Sequence, residues 1–214
     1  MNLPPLWSGR FWGRHGCSFD ATGRGRFATG DCGGSLYCKG LGGTAPATLA
    51  EITLGTQQDF YDVSLVDEYN IAMSITPSRG TGKCSYAGCV SDLNLMCPVA
   101  LQVRGRDNKR VVACFAFNSP RYCCTGIFGS PQSCKPTVYS RIFKTACPKG
   151  YSYAYDDPKL LSGQLFGHFL PSPSLELYLV VIIYICFVYC SAVDLLSYRE
   201  VKIFGFDLHS LIRA

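Results

Sequence analysis

The stretch DFYDVSLVDEYN, residues 59–70, carries four carboxylates in a chain whose formal net charge is +5. Paired carboxylates serve as acid and base in glycoside hydrolysis, where a separation of about 5 to 9.5 Å distinguishes retaining from inverting chemistry. The stretch alternates like a β-strand, with Phe60, Asp62, Ser64 and Val66 on one face and Asp59, Tyr61, Val63 and Leu65 on the other. Asp62 and Asp67 are five residues apart and fall on opposite faces of a flat strand. For both to serve one site, the chain must bend between Ser64 and Asp67.

The surrounding elements that must hold such a site read mainly as strands and turns. ATLAEITL (47–54) and LQVRG (101–105) are further strand candidates between glycine-rich turns. PTVYSRIFKTACP (136–148) reads as a helix, with Val138, Ile142 and Phe143 near one face and prolines at both ends. Residues 84–134 hold seven cysteines with little periodicity, which reads as a loop-rich lobe stapled by disulfides.

Composition narrows the class. A chain of 214 residues forms one domain, or one domain with a smaller lobe. With 13 Cys, 22 Gly and only 16% charged residues, it suits a disulfide framework in an oxidising compartment. Zinc does not fit: Cys32 and Cys38 are six apart, Cys84 and Cys89 five apart, and no C-x-x-C pair occurs. His15, His168 and His209 lie far from those pairs, and nothing calls for a metal or a cofactor. TGRGRFATGDCGG lacks the Lys-Ser/Thr of a phosphate loop and reads as turns. The basic residues are scattered, which argues against nucleic acid as a partner.

Both ends depart from the body. MNLPPLWSGR has no apolar run and does not read as a signal peptide. Composition breaks near Pro158, after which acidic and basic residues balance. The tail contains LYLVVIIYICFVYCSAV, residues 177–193, uncharged throughout and a short transmembrane candidate. Arg199, Lys202 and Arg213 beyond it would favour a cytoplasmic C-terminus. Its β-branched and aromatic richness equally suits a buried strand, and translated non-coding sequence is a third reading.

The ordered set SGRFWGRHGCSFDATGRGRFATGDCGG, PATLAEITL, DFYDVSLVDEYN, YCCTG and CPKGYSYAYDD resembles the thaumatin-like proteins, the thaumatin and osmotin group of plant pathogenesis-related family five. The resemblance runs from about Trp7 to Asp157. It implies a mainly β fold: a flattened β-sandwich with a disulfide-rich loop and helix lobe. The domain would occupy residues 1–157, with the second lobe at 84–148 and an unrelated tail at 158–214. A cleft between sandwich and lobe is lined in antifungal members by one arginine and four carboxylates. By motif position these are Arg10, Glu51, Asp62, Asp67 and Asp156.

The resemblance further implies a secreted, apoplastic, monomeric antifungal defence protein that binds β-1,3-glucan or a related fungal cell-wall polysaccharide. Weak endo-β-1,3-glucanase activity would use Glu51 and Asp67 as acid and base. Binding demands less than catalysis and is the stronger expectation, with Tyr61 or Tyr69 stacking on the sugar. The disulfides implied are Cys32–Cys38, Cys89–Cys147, Cys97–Cys114 and Cys124–Cys134.

Departures from the pattern support an alternative: a structurally compromised variant, tethered to a membrane by its tail, with no working cleft. The family carries N-terminal strands ahead of the position of Trp7. Phe27 stands where it has a cysteine that would partner Cys17, and Cys123 lacks its usual partner. Glu68 occupies a position that is usually glycine, which strains the turn wherever that glycine uses positive φ. The absent strands also expose a sheet edge.

Overall fold

The computed structural model describes residues 3–77, 81–82, 84–101, 119–156, 166–168 and 177–182. In chain order the strands are β1 (Ser8–Trp12), β2 (Ser18–Phe19), β3 (Gly25–Arg26), β4 (Leu49–Thr53), β5 (Asp59–Ser64), β6 (Ala72–Pro77), β7 (Thr81–Gly82), β8 (Ala87–Gly88), β9 (Phe166–His168) and β10 (Leu177–Ile182). Short helices α1 (Leu93–Met96) and α2 (Pro120–Cys123) and the longer α3 (Val138–Ala146) lie among them.

The strands form a five-stranded sheet ordered β1-β4-β5-β9-β7, a three-stranded sheet ordered β10-β6-β8, and the β2-β3 ribbon. The two larger sheets share one core because apolar residues alternate with polar ones along each strand. Phe11, Ala50, Ile52, Tyr61 and Val63 enter it from β1, β4 and β5, while Met73, Ile75 and Ala87 enter from β6 and β8. Leu93, Leu101, Phe143 and Cys147 close it from the second lobe. This is the layered β architecture expected, with the strand at 47–54 realised as β4.

The helix at 136–148 forms as α3, started by a capping box. The Thr137 hydroxyl accepts the Ser140 amide at 3.1 Å, and Ser140 Oγ accepts the Thr137 amide at 2.8 Å. Cys89–Cys147 bridges the end of this helix to the chain beyond β8, and Cys124–Cys134 and Cys32–Cys38 close shorter loops. Cys123, expected to lack its partner, is disulfide-bonded. Cys114 lies outside the described residues, and so does the expected Cys97–Cys114 bridge. The strand expected at 101–105 lies outside them too, apart from Leu101, which ends a 3₁₀ turn.

The transmembrane expectation for 177–193 is corrected. Leu177–Ile182 is strand β10, antiparallel to β6 from Leu177↔Pro77 to Ile182↔Ala72, and residues 183–193 lie outside the described set. Among the described residues no helix is long and apolar enough to cross a membrane. A β-branched, aromatic segment beside an open strand edge satisfies its backbone by pairing, which is the strand reading of the same residues. β9, also from beyond Pro158, pairs with β5 and β7.

Candidate functional site

The alternation that sends Phe11, Ala50, Ile52, Tyr61 and Val63 into the core turns Arg10, Glu51 and Asp62 to the opposite face. Register then aligns them, with Arg10 paired to Glu51 across β1–β4 and Glu51 to Asp62 across β4–β5. One guanidinium and two carboxyl groups therefore form a row across three strands. Directly opposed residues on one face of an antiparallel pair hold their Cβ atoms about 4.5–5.5 Å apart, so the groups interact. Arg10 Nε stands 3.7 Å from Glu51 Oε1.

Asp67 joins this row because the chain turns after β5. The Glu68 amide donates to Leu65 O at 3.1 Å, the Val66 amide to Ser64 Oγ at 3.2 Å, and Glu68 adopts φ 71°. That turn is the bend which the spacing of Asp62 and Asp67 demands. It brings Asp67 Oδ2 to 3.8 Å from Arg10 Nη1. Arg10 thus faces two carboxylates at once. All three side chains are substantially exposed, so these long ion pairs organise charge without contributing much stability.

Asp62 differs from its neighbours. It is partly buried, and among the described residues no hydrogen bond or ion pair reaches its carboxyl group. Burial first, and the charge of Glu51 second, push its pKa up to about 7. Near neutrality this carboxyl group holds a proton about half the time. A protonated carboxyl can donate a hydrogen bond, which the ionised form cannot.

The remaining acids of residues 59–70 serve structure. Asp59 is buried and accepts the Gly55 amide at 2.9 Å, closing the β4–β5 turn. Glu68 is buried within the turn that presents Asp67. The expected sugar-stacking role of Tyr61 and Tyr69 is corrected: they are only 3% and 0% exposed. The Tyr61 hydroxyl donates to Ser85 O at 2.7 Å. The Tyr69 hydroxyl donates to Asp92 at 2.8 Å and accepts the Leu93 amide at 3.1 Å, tying the loop to α1. Phe60, on the Asp62 face, is instead exposed.

Residues 1–165 match the Thaumatin family. The chain belongs to that family. A thaumatin-like protein of Arabidopsis thaliana is 76% identical over 162 residues, covering 74% of this chain and 67% of that protein. Pathogenesis-related protein 5 of the same plant is 58% identical over 163 residues, with coverage of 73% and 66%. A glucan endo-1,3-beta-glucosidase of Prunus avium is 50% identical over 165 residues, with coverage of 74% and 67%. The chain thus spans about two thirds of the length of these relatives. Among solved structures, the thaumatin-like xylanase inhibitor TLXI is 37% identical, with a TM-score of 0.32 over 41% of this chain and 58% of that one.

Of the five positions carried over from the thaumatin family, four meet on this face and Asp156 is engaged elsewhere. Asp156 Oδ2 accepts the Lys144 ammonium at 2.9 Å, the Ser152 amide at 2.8 Å and the Ser152 hydroxyl at 2.7 Å. It pins the CPKGYSYAYD loop to α3. That loop runs beside the end of β5, where the Tyr151 amide donates to Val63 O and the Leu65 amide to Tyr151 O, each at 2.8 Å. Asp156 therefore positions the segment from which Asp67 departs.

Asn70 is the positioning residue that sequence reasoning missed. Its Oδ1 accepts the Thr48 and Ile71 amides, each at 2.9 Å, and its Nδ2 donates to Gly13 O at 2.8 Å and Thr29 Oγ1 at 3.0 Å. The Ala47 amide donates to Asp67 O at 2.9 Å. These bonds hold the far side of the turn against the start of β4. Nothing in the sequence marks Asn70 out from an ordinary loop asparagine, because Gly13, Thr29 and Thr48 lie far away along the chain.

Proposed function

We propose that this thaumatin-family chain is a plant pathogenesis-related defence protein that binds β-1,3-glucan of fungal cell walls on the Arg10–Glu51–Asp62–Asp67 face. The observation that carries the reading is the convergence of three carboxyl groups and one guanidinium on a single solvent-accessible face. Such a group offers acceptors and donors at fixed spacing, which suits the hydroxyls of a sugar chain. Relatives at 58% and 50% identity, named pathogenesis-related protein 5 and glucan endo-1,3-beta-glucosidase, support the same reading. Phe60, exposed two residues from Asp62 on the same side of β5, is the aromatic surface suited to a sugar ring.

Binding is the primary activity in this reading and hydrolysis a weak accompaniment. Glu51 and Asp67 are the acid–base pair, with Arg10 keeping both oriented. Disulfides favour an oxidising setting, so the site of action is extracellular.

The deciding experiment is affinity electrophoresis of the full chain in gels containing laminarin, a soluble β-1,3-glucan. Retardation that a Glu51→Gln, Asp67→Asn double variant loses supports the reading. Equal mobility with and without laminarin refutes it. Reducing-end release from laminarin measures hydrolysis separately, and unchanged release by Asp67→Asn would remove Asp67 from that mechanism.

A further inference from the structure

We infer that Asp62 is a second hydrogen-bond donor of this site beside Arg10, meeting a glucan hydroxyl as a neutral carboxylic acid. The inference deepens the glucan-binding reading and rests on it. Its basis is the unequal sharing of one cation among three acids. Arg10 turns Nε to Glu51 and Nη1 to Asp67, at 3.7 and 3.8 Å. Asp62 lies at the other end of the row, beyond Glu51, and among the described residues it makes no ion pair with the guanidinium.

Among the described residues, the groups around Asp62 do not supply another cation. β4 presents Glu51 directly opposite. β9, on the other flank of β5, pairs Gly167 with Asp59 and Phe166 with Phe60, neither of them charged. Within β5, Asp59 is buried on the other face and bonded to the Gly55 amide. Lys144, from α3, is committed to Asp156. Two like charges side by side, one of them partly buried, favour the state in which one proton is retained.

The chemistry gives that proton a use. A carboxylate only accepts hydrogen bonds and a guanidinium only donates. Sugar hydroxyls do both. A neutral Asp62 adds a short, directional donor beside acceptors, at the point where Phe60 extends the same face. Its ionisation removes the donor and places a second anion against Glu51.

The test measures laminarin affinity of the full chain by calorimetry from pH 5 to 8.5, for wild type, Asp62→Asn and Glu51→Gln. Loss of one donated hydrogen bond, with a second anion placed against Glu51, predicts up to about a tenfold fall in wild-type affinity across this range. Asp62→Asn keeps an N–H donor at every pH, so its affinity stays flat. Glu51→Gln moves the wild-type step to lower pH. Wild-type binding that is flat with pH, or an unaltered step in Asp62→Asn, overturns the donor role and leaves glucan binding standing. Absence of laminarin binding at every pH overturns both. Carboxyl carbon NMR of the free chain gives a second readout: an Asp62 midpoint near 7 supports the role, and one in the ordinary aspartate range overturns it.

Discussion

Asp67 reaches to 3.8 Å from Arg10 although alternation along residues 59–66 directs it away from the face that carries Asp62. The turn at Leu65–Glu68 reverses that direction. A guanidinium on β1 and a carboxylate from the loop after β5 therefore close a charge pair over β4, with Glu51 between them.

Replacing Arg10 with Gln removes both ion pairs. Each is exposed and long, so the stability change stays within about 1 kcal/mol. Function responds more strongly, because Glu51 and Asp67 lose the cation they share. Laminarin retardation is expected to weaken severalfold while the urea midpoint barely moves, and gel mobility and fluorescence-monitored unfolding measure the two effects.

Glu68→Gly is expected to stabilise the fold by about 1 kcal/mol, because the left-handed region costs an L-residue ~1–2 kcal/mol that glycine avoids. Glu68 sits at φ 71° and 2% exposure, so the substitution also relieves a buried carboxyl group. An upward shift of the urea midpoint without a change in slope is the expected result. A downward shift would mean that the buried side chain contributes more than its backbone costs.

Stability should also depend on Asp62 protonation. Its folded pKa of about 7 lies above the ordinary value of 3.8, so the folded state prefers the protonated group. The contribution is complete below pH 3.8 and is lost as pH rises through about 7. Asp62→Asn removes this dependence, so its advantage over wild type grows from pH 5 to 8.5. Urea midpoints of both proteins at those two pH values check the sign.

Phe27→Cys tests how the β2–β3 ribbon is fastened. The register running from Ser18↔Arg26 to His15↔Thr29 sets Cys17 opposite Phe27. Phe27 lies 4.7 Å from the Arg14 guanidinium and edge-on to Phe19 at 5.3 Å, so an aromatic–cation cluster occupies the place of a bridge. A new disulfide would contribute about 2–3 kcal/mol against about 1–2 lost with the cation–π contact, for a small net gain. Non-reducing mass spectrometry detects the bond, and thermal unfolding with and without reductant separates the two terms.

Much of this fold is legible in the sequence because alternation is a local property. Phe60 and Asp62 share one face while Tyr61 and Val63 share the other, and Pro136 and Pro148 bracket α3. The tyrosines were misassigned because polarity does not reveal depth: Tyr61 and Tyr69 bury their rings by finding partners for their hydroxyls at Ser85 and Asp92. Residues 177–182 were ambiguous for a related reason. An apolar run does not name its partner, and only the open edge of β6 shows that residues 177–182 pair as a strand.

Periodicity along residues 59–70 determined which acids share a face within a flat strand and that Asp67 could join Asp62 only through a bend. The tertiary structure decided that the bend exists, that Arg10 and Glu51 lie in register with Asp62, and that Asp156 belongs to Lys144 and Ser152 instead. Strand register and the Asn70 bonds join residues distant along the chain, and such pairings are fixed by packing and hydrogen-bond satisfaction in the assembled fold. A linear pattern carries the face of each residue; its neighbours across the sheet exist only once the strands have met.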